Sequence, residues 1–225
     1  MPVMYREPSI IKKSKDGRVA AVDMASELLN SRVLLLEGEV NDATCNGLIK
    51  SMLVLEHQSA TEPITLIINS PGGSVTAGLA LIDTMQSLDC PVITVGEGVV
   101  ASMAAVILAC GDHRQVYRHA QVLIHQLMGG MGMAQQTDIE IVAQHTAAMR
   151  AELDELLAEH GNLSAQEFHE LTERDCWCNA RRALELGPGG RGDCAQQEGA
   201  LAGRMPYKYV VQGEQVRKFH SQKEV

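Results

Sequence analysis

Four short apolar runs, beginning at Val33, Ile64, Val92 and Val122, recur at intervals of 31, 28 and 30 residues. They read "VLLLE", "ITLIINS", "VITVGEG" and "VLIH". Runs this short, apolar at consecutive positions rather than alternate ones, predict strands buried on both faces. The stretches between them are long enough for a helix each. The four runs are not alike in sequence, so the regularity is one of structure and not of an internal repeat. A stack of strand–helix units with parallel strands satisfies it, which makes the fold class α/β.

The helices have recognisable starts. Asn41 and Asp42 stand as caps before "ATCNGLIKSMLVLEHQ", "PGGS" is a glycine turn opening into "VTAGLALIDTMQSL", and Ser102 precedes the almost wholly apolar "MAAVILA". "VDMASELLNS" reads as a further short amphipathic helix before the first strand.

Beyond His125 the pattern changes. "QLMGGMG" is a glycine loop, and residues 134–160 form a long, charged helical stretch that ends at Gly161, expected as a left-handed C′ glycine. "SAQE" at 164–167 fits a capping box, and "NARRALELG" a short helix capped by Asn179 and closed by Gly187. Residues 1–20 are expected as a mobile arm and 21–225 as one domain, from which a handle over about 126–161 projects. Residues 188–225 read as a loop followed by one strand in the tail. The apolar handle positions Ile139, Ile141, Val142, Met149, Leu153, Leu156 and Leu157 are too many for a free surface helix and call for a partner surface.

Composition narrows the function. With 45% hydrophobic residues the 225-residue chain can bury one sizeable core. A net charge of −9 argues against a nucleic-acid partner or an anionic membrane surface, both of which need a basic face. No apolar run approaches a membrane span, and the first residues lack the apolar segment of an export signal, so a cytoplasmic location is expected. The six cysteines contain no C-x-x-C pair and are expected as free thiols. Cys176 and Cys178 lack the companions a metal site needs.

A serine held at a helix start beside glycine-supported backbone donors could be a nucleophile. It would need a histidine to take its proton, a carboxylate to orient that histidine, and N–H groups for the oxyanion. Ser102, His125 and Asp175 supply the side chains in that chain order; Gly72, Gly73 and Met103 supply the backbone. The residues alone leave a second account open, in which Ser102 is a small core residue, His125 a satisfied core histidine, Asp175 a helix cap and the glycines plain turns.

"INSPGGSVTAGLALIDTMQ", "ASMAAVILACG", "LIHQLMGGMGMAQQTDIEI" and "LTERDCWCNARRALELG" together resemble the ClpP family, the proteolytic subunits of ATP-dependent Clp proteases. The resemblance runs in register from about Ser31 to Gly187. It implies the ClpP/crotonase-like fold and a serine endopeptidase with Ser102 as nucleophile, His125 as base and Asp175 as orienting acid. Gly73 and Met103 would then be the oxyanion donors, with Gly72 beside them. It implies neither metal nor cofactor. Two seven-membered rings, homomeric or shared with a paralogue, would stack through their handles and enclose a chamber. An AAA+ unfoldase would feed unfolded proteins into it and hydrolyse the ATP; no G-x-x-x-x-G-K-[ST] motif is present in this chain.

The sequence also departs from the family pattern. Leu127 stands where proline is usual after "HQ", and "LGPGGRGDCAQQEGALAG", residues 186–203, replaces a family strand. Thr65, Ile67 and Ser87 stand where aromatics often line the unfoldase-docking pocket, with Glu97 near it. Weak docking of a hydrophobic unfoldase loop is the expected consequence. An inactive ring subunit and a crotonase-type acyl-CoA enzyme are the rival readings; the first would lose triad residues and the second would not need them.

Overall fold

The computed structural model describes residues 8–13, 16–130 and 132–187. The expected tail strand and Cys194 lie outside them. The main sheet has six strands: β3 (Val33–Glu37), β4 (Ile64–Ser70), β5 (Val92–Ala101), β6 (His113–Val116), β7 (Gln121–Ile124) and β8 (Cys176–Asn179). Its order is β3-β4-β5-β7-β8, with β6 also on β5. The four strands expected from the apolar runs are consecutive neighbours and parallel. Strand β8 closes the sheet antiparallel to β7.

Strand β5 serves two partners. Ile93–Gly96 pairs with β6, and Val99–Ala101 pairs with β7. Between these halves the register against β4 slips, from Ile68 opposite Gly96 to Ser70 opposite Val100. The extra residues form a bulge around Gly98, whose φ is +56°. Asn69 stitches it by accepting the Val99 N–H at its Oδ1, 3.2 Å away.

Before the sheet come β1 (Ile10–Lys13), β2 (Val19–Val22) and helix α1 (Met24–Asn30). The first two pair as an antiparallel hairpin, a small sheet of their own. Helices α2 (Asp42–Gln58), α3 (Val75–Ser87) and α4 (Met103–Ala109) follow β3, β4 and β5 in turn. Asn41 caps α2 in a full capping box with Thr44, leaving Asp42 in the first turn. The core contains Leu36, Ile64, Leu66, Ile68, Leu81 and Ile107, all fully buried. On β4 the residues between them, Thr65 and Ile67, point to the opposite face and are half-buried. Arg32, itself at φ +58°, fastens the end of α2 to the sheet. Its guanidinium donates to the carbonyls of Leu55, Ser59, Glu62 and Pro63.

The last three helices are α5 (Gln136–His160), α6 (Ala165–Leu171) and α7 (Ala180–Leu186). Ser164 and Glu167 make the expected capping box on α6, Asn179 caps α7, and Gly187 ends it at φ +98°. Gly161 differs from expectation: its φ is −105°, so no left-handed backbone demands glycine. Space demands it, because a Cβ there would lie 2.5 Å from Leu157 O and 2.7 Å from the Phe168 ring.

Helix α5 divides into two regions. Leu157 is in the core, and Leu153 and Leu156 pack against it. Ile139 and Ile141 are 49% and 58% exposed, and Val142 is exposed beside them. The expectation that all seven apolar positions seek a partner is therefore corrected: the C-terminal three are covered by this chain's own core.

Candidate active site

Helix α4 begins at the end of β5 through a turn that only Ser102 makes. Its φ of 57° and ψ of −128° lie where non-glycine residues are strained. Its N–H is anchored to Leu123 O at 2.8 Å, which ties the turn to β7. As N-cap of α4 it would ordinarily use its hydroxyl to cap the helix, yet it makes no such bond. The Oγ is left for other work.

Two glycines form the wall opposite. Gly72, at φ +88°, packs so closely that a Cβ would lie 2.5 Å from Ala101 O and 2.7 Å from Ser102 Cβ. Gly73, at φ +150°, bridges to Val40, where a Cβ would come 2.2 Å from Val40 O. The Gly72 N–H is occupied by Ser70 Oγ at 3.1 Å. The N–H groups of Gly73 and Met103 have no acceptor among the described residues. Met103 is held in place by its side chain, which fills the space that Gly78 leaves on α3.

His125 follows the last residue of β7. Its Nδ1 is 2.6 Å from the carbonyl oxygen of Gln126. A carbonyl can only accept, so this bond places a proton on Nδ1, and in the neutral imidazole Nε2 then keeps its lone pair. That is the tautomer a general base requires. Gln126 is in turn fixed to the segment before β8. Its N–H donates to Thr172 O at 2.7 Å and its side-chain amide to Glu173 O at 2.9 Å. Arg150 of α5 completes the brace with bonds to Gln126 Oε1, His169 O and Glu173 Oε2. Its hydrogen bond to Glu173 holds that carboxyl below the usual carboxylate range.

Ser102, His125, Gly72, Gly73 and Met103 line one cavity of about 430 Å³. Asp175 lines a neighbouring pocket of about 420 Å³, which shares His125 with the first. His125 is thus common to the two linings, and no hydrogen bond joins it to Asp175 among the described residues.

Residues 15–188 match the family described as Clp protease. The chain belongs to the Clp protease family. It is 41% identical over 186 residues to the ATP-dependent Clp protease proteolytic subunit of Lactococcus lactis subsp. cremoris (strain SK11), spanning 81% of this chain and 93% of that protein. Against the proteins of the same name from Leuconostoc citreum (strain KM20) and Streptococcus sanguinis (strain SK36), it is 40% and 41% identical over 183 residues. Those matches span 80% of this chain and 91% and 93% of the relatives.

Within this Clp protease chain, the bland account of each residue fares differently. Asp175 caps no helix: it precedes β8, and Asn179 is the cap of α7. Ser102 is half-buried and faces the cavity, so it is not core filler. Cys176 and Cys178 lie with their sulfurs 3.8 Å apart, and burial pushes the Cys178 thiol up to about 12. A thiol that holds its proton, as that of Cys178 does, is a poor metal ligand.

Sequence reasoning missed Arg150 and Asp154, both of which line the Ser102 cavity. Asp154 is 5% exposed, and its Oδ2 accepts from His169 Nδ1 at 2.8 Å. The available signal was a carboxylate between Leu153 and Leu157, on the fringe of an apolar helix face.

Proposed function

We propose that this chain is the serine endopeptidase subunit of an ATP-dependent Clp protease, with Ser102, His125 and Asp175 as its catalytic groups. One observation carries the assignment: the uncapped Ser102 Oγ opens into a cavity that also holds His125 and the unpartnered N–H groups of Gly73 and Met103.

The chemistry follows from that arrangement. His125 Nε2 takes the Oγ proton as Oγ adds to the scissile carbonyl. The Gly73 and Met103 N–H groups receive the oxyanion. The imidazolium then gives its proton to the departing amine, leaving an acyl-serine, and water repeats the sequence to free the acid. Asp175 stabilises the imidazolium once His125 Nδ1 exchanges the Gln126 carbonyl for its carboxylate. ATP is hydrolysed by a partner unfoldase.

The assembly belongs to the same proposal. Rings stack through α5, a role supported by the exposed Ile139, Ile141 and Val142, and the catalytic cavities face the enclosed chamber. Half-buried Thr65 and Ile67, with Glu97 in the β5 bulge, offer a hydrophobic unfoldase loop no aromatic ring, so docking is weak. The five cysteines among the described residues are free, which fits a reducing cytoplasm.

The test is labelling with a fluorophosphonate, read by intact mass and peptide mapping. Modification at Ser102, lost in Ser102→Ala together with on the order of 10⁶-fold of peptidase turnover, is the expected result. A wild-type protein that takes no label would point to an inactive ring subunit or an acyl-CoA enzyme.

A further inference from the structure

Beside Ser102 the cavity is walled by Val75, Met103, Val106, Leu153 and Leu157, which by themselves would suit an aliphatic side chain. Asp154 breaks that character. It is one of only four polar or charged residues buried among the described ones, and it lines the cavity. Its Oδ2 is held by His169; its Oδ1 has no hydrogen-bond partner among the described residues. An aliphatic side chain filling this space would strip water from a carboxylate oxygen and give nothing back, which is costly for a charged group.

The other charge within reach does not answer it. Arg150 lies one turn before Asp154 on α5, but its Nη1 and Nη2 are committed to Gln126, His169 and Glu173, and its buried Nε has no partner among the described residues, Asp154 included. Its charge is balanced by Glu173 at 3.1 Å. Glu39 adds a second carboxylate to the cavity lining.

Resting on the serine-peptidase reading above, we infer that Asp154 is a specificity-determining residue. It makes the cavity beside Ser102 select peptide bonds that follow a long side chain with a cationic, hydrogen-bond-donating head, lysine or arginine. The methylene stem packs on Val75, Met103 and Leu157, and the head donates to Asp154 Oδ1. The substrate class is thus unfolded segments rich in basic residues, cut after them.

The experiment uses the assembled full-length protein and fluorogenic peptides that differ only at the residue before the scissile bond: lysine, arginine or norleucine. Norleucine offers much the same stem without the charge. Lysine is expected to exceed norleucine in kcat/KM by about 10- to 100-fold, the range of a hydrogen bond to a buried charged group. Asp154→Asn is expected to remove that advantage. The readout is a ratio within one sample, so losses of folding or assembly cancel. Should Asp154→Asn fail to fold, wild-type labelling rates with lysyl and norleucyl phosphonates give the same ratio. A wild type that prefers norleucine, or a ratio that Asp154→Asn leaves alone, overturns the inference. Failure of both phosphonates to label Ser102 overturns the peptidase reading itself.

Discussion

Gly72 and Ser102 are packed so tightly that the glycine's missing Cβ would lie 2.7 Å from the serine's Cβ and 2.5 Å from the preceding carbonyl oxygen, Ala101 O. The strained turn at Ser102 is thus pressed from one side by backbone that itself sits at φ +88°. Neither contact can be relieved by a flexible side chain.

Gly72→Ala should therefore displace the Ser102 turn and lower serine labelling at least 10-fold, because small misplacements at a reacting centre are costly. Gly47 is the control. It lies within α2 with nothing within 4 Å of a built Cβ and no positive φ. Gly47→Ala should raise stability by about 0.5–1 kcal/mol and leave labelling unchanged. Thermal melts and labelling on both variants check the pair; equal labelling in both would show that Gly72 does not support the turn.

Asp175→Asn separates the two roles once open to that residue. Asp175 is exposed, precedes β8 and caps no helix, so the melting temperature should hold. Turnover should fall on the order of 10⁴-fold, since an amide cannot stabilise the His125 cation. A variant that melts earlier and keeps its turnover would return Asp175 to a structural role.

The two halves of α5 should respond differently. Ile139→Glu with Ile141→Glu alters exposed positions and should yield half-size particles of unchanged subunit stability, read by light scattering and thermal melt. Leu157→Ala removes a side chain that is 4% exposed and should cost about 2–5 kcal/mol of subunit stability. Double rings that survive the paired glutamates would place the ring contact elsewhere.

His160 makes stability fall with acid. Burial lowers its pKa from the ordinary 6.5, with Arg114 adding to the effect, and its Nε2 is buried without a partner among the described residues. The unfolded chain takes up the proton first as pH drops through 6.5. This group therefore leaves stability level above that value and erodes it below, until the folded protein protonates as well. The melting temperature should decline between pH 7.5 and 5.5, and His160→Phe should flatten that decline. An unchanged slope would assign the acid sensitivity to other groups.

Much of this molecule could be read from short stretches of its sequence. Strands β3, β4, β5 and β7 announce themselves as apolar runs, and Asn41, Ser164, Asn179 and Gly187 end or start helices where their chemistry requires. These features are local: a run's burial pattern or a cap's hydrogen bond is set within a few residues. Ser102, His125, Asp175 and the glycines could be nominated because each stands at such an element boundary.

What depended on distant contacts was not legible. Strands β6 and β8 have four residues each and no apolar periodicity, and they exist because β5 and β7 present edges to pair with. The first strands form a hairpin through pairing across the chain's early turn, where composition alone suggested an arm. The left-handed backbone of Ser102 follows from its N–H bond to Leu123 and the press of Gly72, neither of which is near it in sequence. The choice of Gln126 O over Asp175 by His125, and the entry of Asp154 into the serine's cavity, were likewise decided by how α5 and the 172–175 segment settle against β7. A periodicity marks which face of a helix is apolar, but only packing determines whether that face meets this chain's own core, as at Leu157, or lies open, as at Ile141.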